Sequence, residues 1–260
     1  MISPLAYVNP GAKLGKDVIV HPFAFIDNDV EIGDRCEILP YASIMKGTRM
    51  GSDNKVYQGA IIGADPQDFR WKGQQTFCFI GNHNVIREHV IINRGITPEG
   101  GTTIGDDSFI MAESHIGHDS RIASKCVLGN GVTIAGDVVV DTCTILSSNV
   151  ILHEDVHVGR MALVKGGCRI SSNVPPFVII AHNPAVYYGV NSVILGKHLK
   201  FSEEQIDTIA KAYRHIYQSS TSLYNALLRI ESDIEPSEER DAILSFIRQN
   251  KKIVGLQNFD

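Results

Sequence analysis

The sequence predicts a left-handed parallel β-helix of hexapeptide repeats over residues 1–190, followed by a C-terminal α-helical domain over residues 191–260. Three observations carry that expectation. An aliphatic residue recurs at every sixth position, a small or β-branched residue keeps step two places before it, and the pattern gives way to helix signals near the C-terminus.

The aliphatic column runs Val8, Leu14, Val20, Ile26, Ile32, Ile38, Ile44, Met50, Val56 and Ile62. It resumes at Ile80, Ile86 and Ile92, and again from Ile104 to Ile170, with misses at Asp68, Gln74 and Pro98. Neither a helical period nor simple strand alternation holds one phase in this way. The accompanying column reads Ala12, Val18, Ala24, Val30, Cys36, Ala42 and Thr48, then Ser108, Ser114, Ser120, Cys126 and Val132. Glycine often follows the aliphatic, as at Gly15, Gly33, Gly51, Gly63, Gly81, Gly105, Gly117 and Gly129, where it is expected to relieve the strain of a corner. Three such units make a triangular coil of about 18 residues with the aliphatics inside.

Two segments, 64–76 and 95–101, are polar, carry Gly and Pro, and return to the same phase. They read as loops leaving the prism, where function tends to concentrate. The VPP at 174–176 is expected to stop the repeat. Ser202 with Gln205 forms a capping box ahead of Ile206, Ile209, Tyr213 and Ile216. A second helix is expected around Leu223, Leu227 and Ile230, and a third after Pro236-Ser237. Helices there would cover an open sheet edge, and the prism faces favour side-by-side packing as a homotrimer.

The chain is 43% hydrophobic and 20% charged, with a formal net charge of −5, so it has no global basic field for nucleic acid. Five cysteines without a C-x-x-C pair argue against a disulfide framework or a Cys-based zinc site and fit reduced cytoplasmic thiols. No secretory signal or membrane span is expected from MISPLAYVNP or from any apolar run.

The chemistry concentrates in ESHIGHDS, residues 113–120. Residues 18 apart should stack about 4.8 Å apart, placing Gly136 and then Glu154 above His118, Asp137 and Asp155 above Asp119, and Ala135 and His153 above Gly117. A carboxylate beside His118 fixes its tautomer and suits it to general-base work. A glycine one coil up offers an unobstructed N–H to a developing oxyanion, a combination suited to hydroxyl attack on a thioester. Histidines on such faces are more often solvated or packing residues, which is the reading for His21, His83, His89 and His198. The Asp119, Asp137 and Asp155 column could equally be turn residues.

PQDFRWKG, IREHVIINRG, SHIGHD, LHEDVHVG, GGCRISSNVPPF and YGVN occur in this order along nearly the whole chain. Together they resemble the UDP-N-acetylglucosamine O-acyltransferases of lipid A biosynthesis. The resemblance implies a cytoplasmic homotrimer without cofactor or metal, moving a 3-hydroxyacyl chain from acyl carrier protein to the sugar 3-hydroxyl. It implies His118 as general base, Asp119 as its partner, Gly136 as oxyanion donor and His115 as a substrate contact. It also implies Gln67 and Asp68 reaching the sugar nucleotide from a neighbouring subunit, Asn191 at the nucleoside, and Gly166 at the end of a groove for long acyl chains. His153 and Lys197 fall among the implied substrate contacts.

The chain departs from that family at several places. It has Arg70 for a usual lysine, Asp137 for a histidine, Glu154 for a glutamine, and Val193 with only Lys197, His198 and Lys200 where a glutamate and a more basic run are usual. Two added carboxylates could favour a cationic amino-sugar acceptor. Other readings are an acetyl-CoA-dependent hexapeptide transferase, a zinc enzyme built on His153–His157, and a non-catalytic binding paralogue. An acidic carrier protein would dock on Lys165, Arg169, Lys197, Lys200, Lys211, Arg214 and Lys251-Lys252.

Overall fold

The computed structural model describes residues 1–98, 100–219, 221–250 and 252–255. Its strands are mostly two residues long, as at Phe25–Ile26 and Ser43–Ile44. The first residue of each pair faces outward and the second faces inward, since successive side chains along a strand point to opposite sides. The inward residues Ile26, Ile38, Ile44, Ile62, Ile86, Ile110 and Ile134 are fully buried. Burying each of these side chains contributes roughly 1.5–3 kcal/mol, which is why the six-residue phase is kept so strictly.

The strands stack into three sheets of nine, eight and ten strands. Pairing is parallel and in register, as in Ile116 with Ile134 and Ile134 with Leu152. The ordinary offset is 18 residues, but it widens to 30 between Ser52 and Asn82 and to 24 between Asn82 and Asp106. The widenings are the two loops. One joins Ile61–Ala64 to Phe77–Ile80, and the other joins Ile91–Asn93 to Gly101–Ile104. Both leave the prism at the corner where the nine-stranded sheet turns into the eight-stranded one. His118 and Asp119 occupy that same corner on the next coil, between His115–Ile116 and Arg121–Ile122. Two consecutive loops thus rise from directly below the histidine.

Apart from Gly63, which does take a positive φ of 75°, the corner glycines serve a different purpose from the one expected. Positive φ falls two residues later, on Asp17, Arg35, Asp53, Asp107 and Asp119 among others. A Cβ on Gly117 would lie 2.7 Å from the Ala135 carbonyl carbon, and one on Gly33 would lie 2.7 Å from that of Gly51. Glycine is required because the backbone of the coil above presses on it.

The VPP segment does not end the sheet. Val178–Ala181 adds in parallel to Leu163–Val164, and Val186–Val190 closes it antiparallel. The hairpin buries Val178 and Ile180 without the hexapeptide phase, so the repeat pattern alone could not reveal it. A π-helical turn at Ile194–His198 follows, then α1 (Glu203–Tyr217), α2 (Leu223–Asp233) and α3 (Glu238–Gln249). Ser202 and Gln205 form the expected capping box, and Ser222 and Ser237 cap the other two helices. Tyr213 ties α1 to the prism by donating its hydroxyl hydrogen to the Pro176 carbonyl. No described helix is long and apolar enough to cross a membrane.

Candidate active site

Asp119 sits at φ 56°, a conformation that the turn imposes and that aspartate tolerates. The turn brings its carboxylate back beside the preceding residue, so Asp119 Oδ2 lies 3.0 Å from His118 Nδ1. The same oxygen accepts the Ile96 N–H from the second loop at 2.8 Å. Gly95 permits this approach, because a Cβ there would come within 2.6 Å of Asp119 Oδ1. His118 is 7% exposed, and its other ring nitrogen, Nε2, faces Asp68 Oδ2 from the first loop at 3.4 Å.

Gly136 is buried one coil above, where a Cβ would run into the His118 ring. Glycine is therefore what lets the imidazole lie against that backbone. Its N–H has no acceptor among the described residues. A different corner of the prism shows how such an N–H can be taken up. There the equivalent N–H of Lys16, Asp34, Ser52, Asn82 and Asp106 is taken in turn by a side-chain oxygen of Asp34, Ser52, Asn82, Asp106 and Ser124, each one coil higher. Above Gly136 the corresponding residue is Glu154, and its carboxylate instead receives Arg70 at 3.3 Å.

Arg70 organises the charges of the site. It donates to both oxygens of Asp68, at 3.0 and 2.9 Å, and lies 4.0 Å from Asp137. The guanidinium holds the Asp68 carboxyl far below the usual carboxylate range, and Asp68 in turn raises the Arg70 pKa. Asp137 is shifted upward, first by burial. Nearby Asp119 and Asp155 push the same way, while His118 and Arg70 oppose. His115 stands half-buried on the outer side of the nine-stranded sheet, where burial lowers its pKa.

The other expected residues lie around this corner or away from it. Asp68 and Arg70 meet His118, Asp137 and Glu154 within one chain, so the first loop packs on its own corner. Gln67 is exposed and makes none of these contacts. Asp137 and Glu154 lie 4.0 and 3.3 Å from Arg70, which is already paired with Asp68, so one guanidinium faces three carboxylates. Asn191 is 1% exposed and donates its amide to the Met161 carbonyl at 3.0 Å. Lys197 is exposed, and its carbonyl accepts the Lys200 ammonium. Lys251 lies outside the described residues.

Of the proposed zinc ligands, His153 is exposed at the corner, while His157 bonds Asp141 at 3.0 Å on the neighbouring sheet. The described groups that come within ligand distance of one another are His118, Asp119 and Asp137, with atoms inside 4.8 Å. Asp119 Oδ2 already holds both the imidazole and the Ile96 N–H, the arrangement of an oriented base.

Residues 173–255 match the family described as UDP N-acetylglucosamine O-acyltransferase, domain 2, and residues 101–136 match the bacterial transferase hexapeptide of six repeats. An acyl-[acyl-carrier-protein]–UDP-N-acetylglucosamine O-acyltransferase of Stutzerimonas stutzeri is 39% identical over 87% of this chain and 88% of its own. This chain belongs to the UDP-N-acetylglucosamine O-acyltransferase family. A member of that family from a Janthinobacterium strain is 38% identical over 96% of this chain and 95% of its own. The crystal structure of the UDP-N-acetylglucosamine acyltransferase of Bacteroides fragilis superposes with a TM-score of 0.95 at 40% identity, covering 98% of this chain and 99% of that one. The fold is accordingly the left-handed parallel β-helix of the family.

Proposed function

We propose that this chain moves a 3-hydroxyacyl group from acyl carrier protein to the 3-hydroxyl of UDP-N-acetylglucosamine, the first step of lipid A biosynthesis. The observation that carries the reading is His118 held at Nδ1 by Asp119, with its ring against a glycine whose N–H has no acceptor among the described residues.

With the proton on Nδ1 facing Asp119, Nε2 presents a lone pair to the acceptor hydroxyl, which enters at the gap now closed by Asp68. The hydroxyl oxygen bonds to the thioester carbonyl carbon while its proton passes to Nε2. The carbonyl electrons move onto oxygen, where the Gly136 N–H donates. As the tetrahedral intermediate collapses, the carbon–sulfur bond breaks and the Nε2 proton leaves with the carrier thiol. Asp119 stabilises the imidazolium in between. His115 and His153 lie on the approach to this corner as substrate contacts, and Gly166 borders the acyl chain.

Two further features fit the assignment. The outward residues of two sheets are largely apolar, including Ile61, Ile91 and Ile151 on one and Phe109, Val127 and Ile145 on the other, whereas the third carries Lys13, Glu31, Arg49 and Arg121. A homotrimer that buries the two apolar faces would set its interface along the His118 corner. For the acidic carrier, Lys165, Arg169 and Lys252 are the better docking residues, because Lys211 and Arg214 are both engaged by Asp207. Buried, unpaired Cys36, Cys78, Cys126 and Cys168 suit the reducing cytoplasm.

The test is acyl transfer from 3-hydroxyacyl carrier protein to UDP-N-acetylglucosamine, with the 3-amino analogue in parallel. His118→Ala should lower kcat by on the order of 100-fold or more. Transfer that survives His118→Ala, or that uses only the amine, would overturn the reading.

A further inference from the structure

The carboxylate that orients His118 is itself oriented by the backbone of Ile96, and Ile96 is held from its other side. Gln74, in the first loop, donates Nε2–H to the Ile96 carbonyl at 2.7 Å. The Gln74 amide is fixed in that sense because its Oε1 accepts the Lys72 N–H at 2.7 Å. Its own carbonyl accepts the Trp71 indole N–H at 3.3 Å, and Ile96 is 9% exposed. Gln74 therefore sits at a junction of the two loops, one residue removed from the Ile96 N–H that Asp119 receives.

We infer that Gln74 is a positioning residue for acyl transfer, setting the Ile96 backbone so that Asp119 holds the His118 ring in its reactive orientation. The connections form a closed circuit. The first loop fixes Ile96 through Gln74, Ile96 fixes Asp119, Asp119 fixes His118, and the far side of the ring meets Asp68 of the first loop again. A change in the loop is thus felt at Nδ1 through Ile96 and at Nε2 through Asp68. This inference rests on the reading of His118 as the general base.

The chemistry of the amide supplies a specific test. A carboxylate accepts hydrogen bonds and cannot donate, so Gln74→Glu sets an oxygen against the Ile96 carbonyl oxygen. Once protonated, the same side chain regains one donor. Gln74→Ala and Gln74→Glu are each expected to lower kcat on the order of tenfold, because a small displacement of an oriented base is costly, while KM for the nucleotide sugar stays within about twofold. The ratio of Gln74→Glu to native kcat should climb back toward one as pH falls through the glutamate range of about 4 to 5. Gln74→Ala shows no such recovery.

Acyl transfer should be followed across pH for the native enzyme, both Gln74 variants and His118→Ala, with melting curves for each. Native kcat in both Gln74 variants, or a kcat ratio for Gln74→Glu that ignores pH, would overturn the role of Gln74. If His118→Ala is inactive at the same time, the general base stands and only the positioning role falls. Full activity of His118→Ala would remove the base reading itself.

Discussion

Gly136→Ala is the smallest change that reaches the proposed base. Gly136 lies outside the positive-φ region, so alanine adds no backbone strain and the effect is steric. The new Cβ would stand 3.0 Å from His118 Nδ1 and closer still to Cε1 and Nε2. Ordinary contact is about 3.5 Å, so the ring has to retreat by about 1 Å. It cannot slide freely, because Nδ1 is tied to Asp119 at 3.0 Å. A misplacement of this size costs on the order of 100-fold in rate, or about 2.7 kcal/mol in the barrier. Overpacking should cost about 1–3 kcal/mol of stability. The assay is steady-state transfer at a temperature well below Tm, with melting followed by circular dichroism. A kcat within threefold of native would refute the view that the ring is pinned between Asp119 and the Gly136 backbone.

Arg70→Ala should free Glu154 to reach the Gly136 N–H and lower kcat, and adding Glu154→Ala should restore part of the loss. Both side chains are more than half exposed, so solvent screening keeps the coupling small, up to about fivefold in kcat; strictly additive effects would exclude it. Asp137 carries a raised pKa, so ionising it disfavours the folded state, and stability is lost as pH climbs from the ordinary carboxylate value of about 3.9 through the raised one. Asp137→Asn should therefore raise Tm at neutral pH, with the gain vanishing toward about pH 4, and equal gains at both would contradict the shift. Gly166 is exposed, and a Cβ there would stand 3.0 Å from the Ser148 carbonyl oxygen. The native chain should prefer long 3-hydroxyacyl donors and Gly166→Met shorter ones, so a native preference for ten carbons in competition assays would refute the assignment.

The prism was legible because each inward position is enclosed by the coils above and below and tolerates little but an aliphatic, a constraint written at every sixth residue from Val8 to Ile170 except where the two loops intervene. The stacking of Gly136 on His118 followed from the same arithmetic. Contacts between the loops and the prism did not. Arg70 and Glu154 are 84 residues apart, and nothing in either local sequence marks their meeting. Gln74 registered only as a break in the repeat, since its partner is a backbone carbonyl that any residue could supply. Asn191 stands in a family motif, and nothing in its local sequence marks the Met161 carbonyl 30 residues away that it bonds. The closing hairpin was hidden because Val186–Val190 pairs antiparallel, outside the rule that generates the coil.

The two loops that rise from one corner also bear on how the molecule assembles. A stack in which each coil touches only its neighbours can grow outward from any point along its axis. The link from Arg70 to Glu154 is different, because it spans several coils and cannot form until those between are in place. The charge cluster would then be among the last native features to appear during refolding, after most secondary structure has returned. Recovery of activity should trail recovery of the circular dichroism signal, so that a chain with a finished scaffold and an unlatched first loop is an inactive late intermediate.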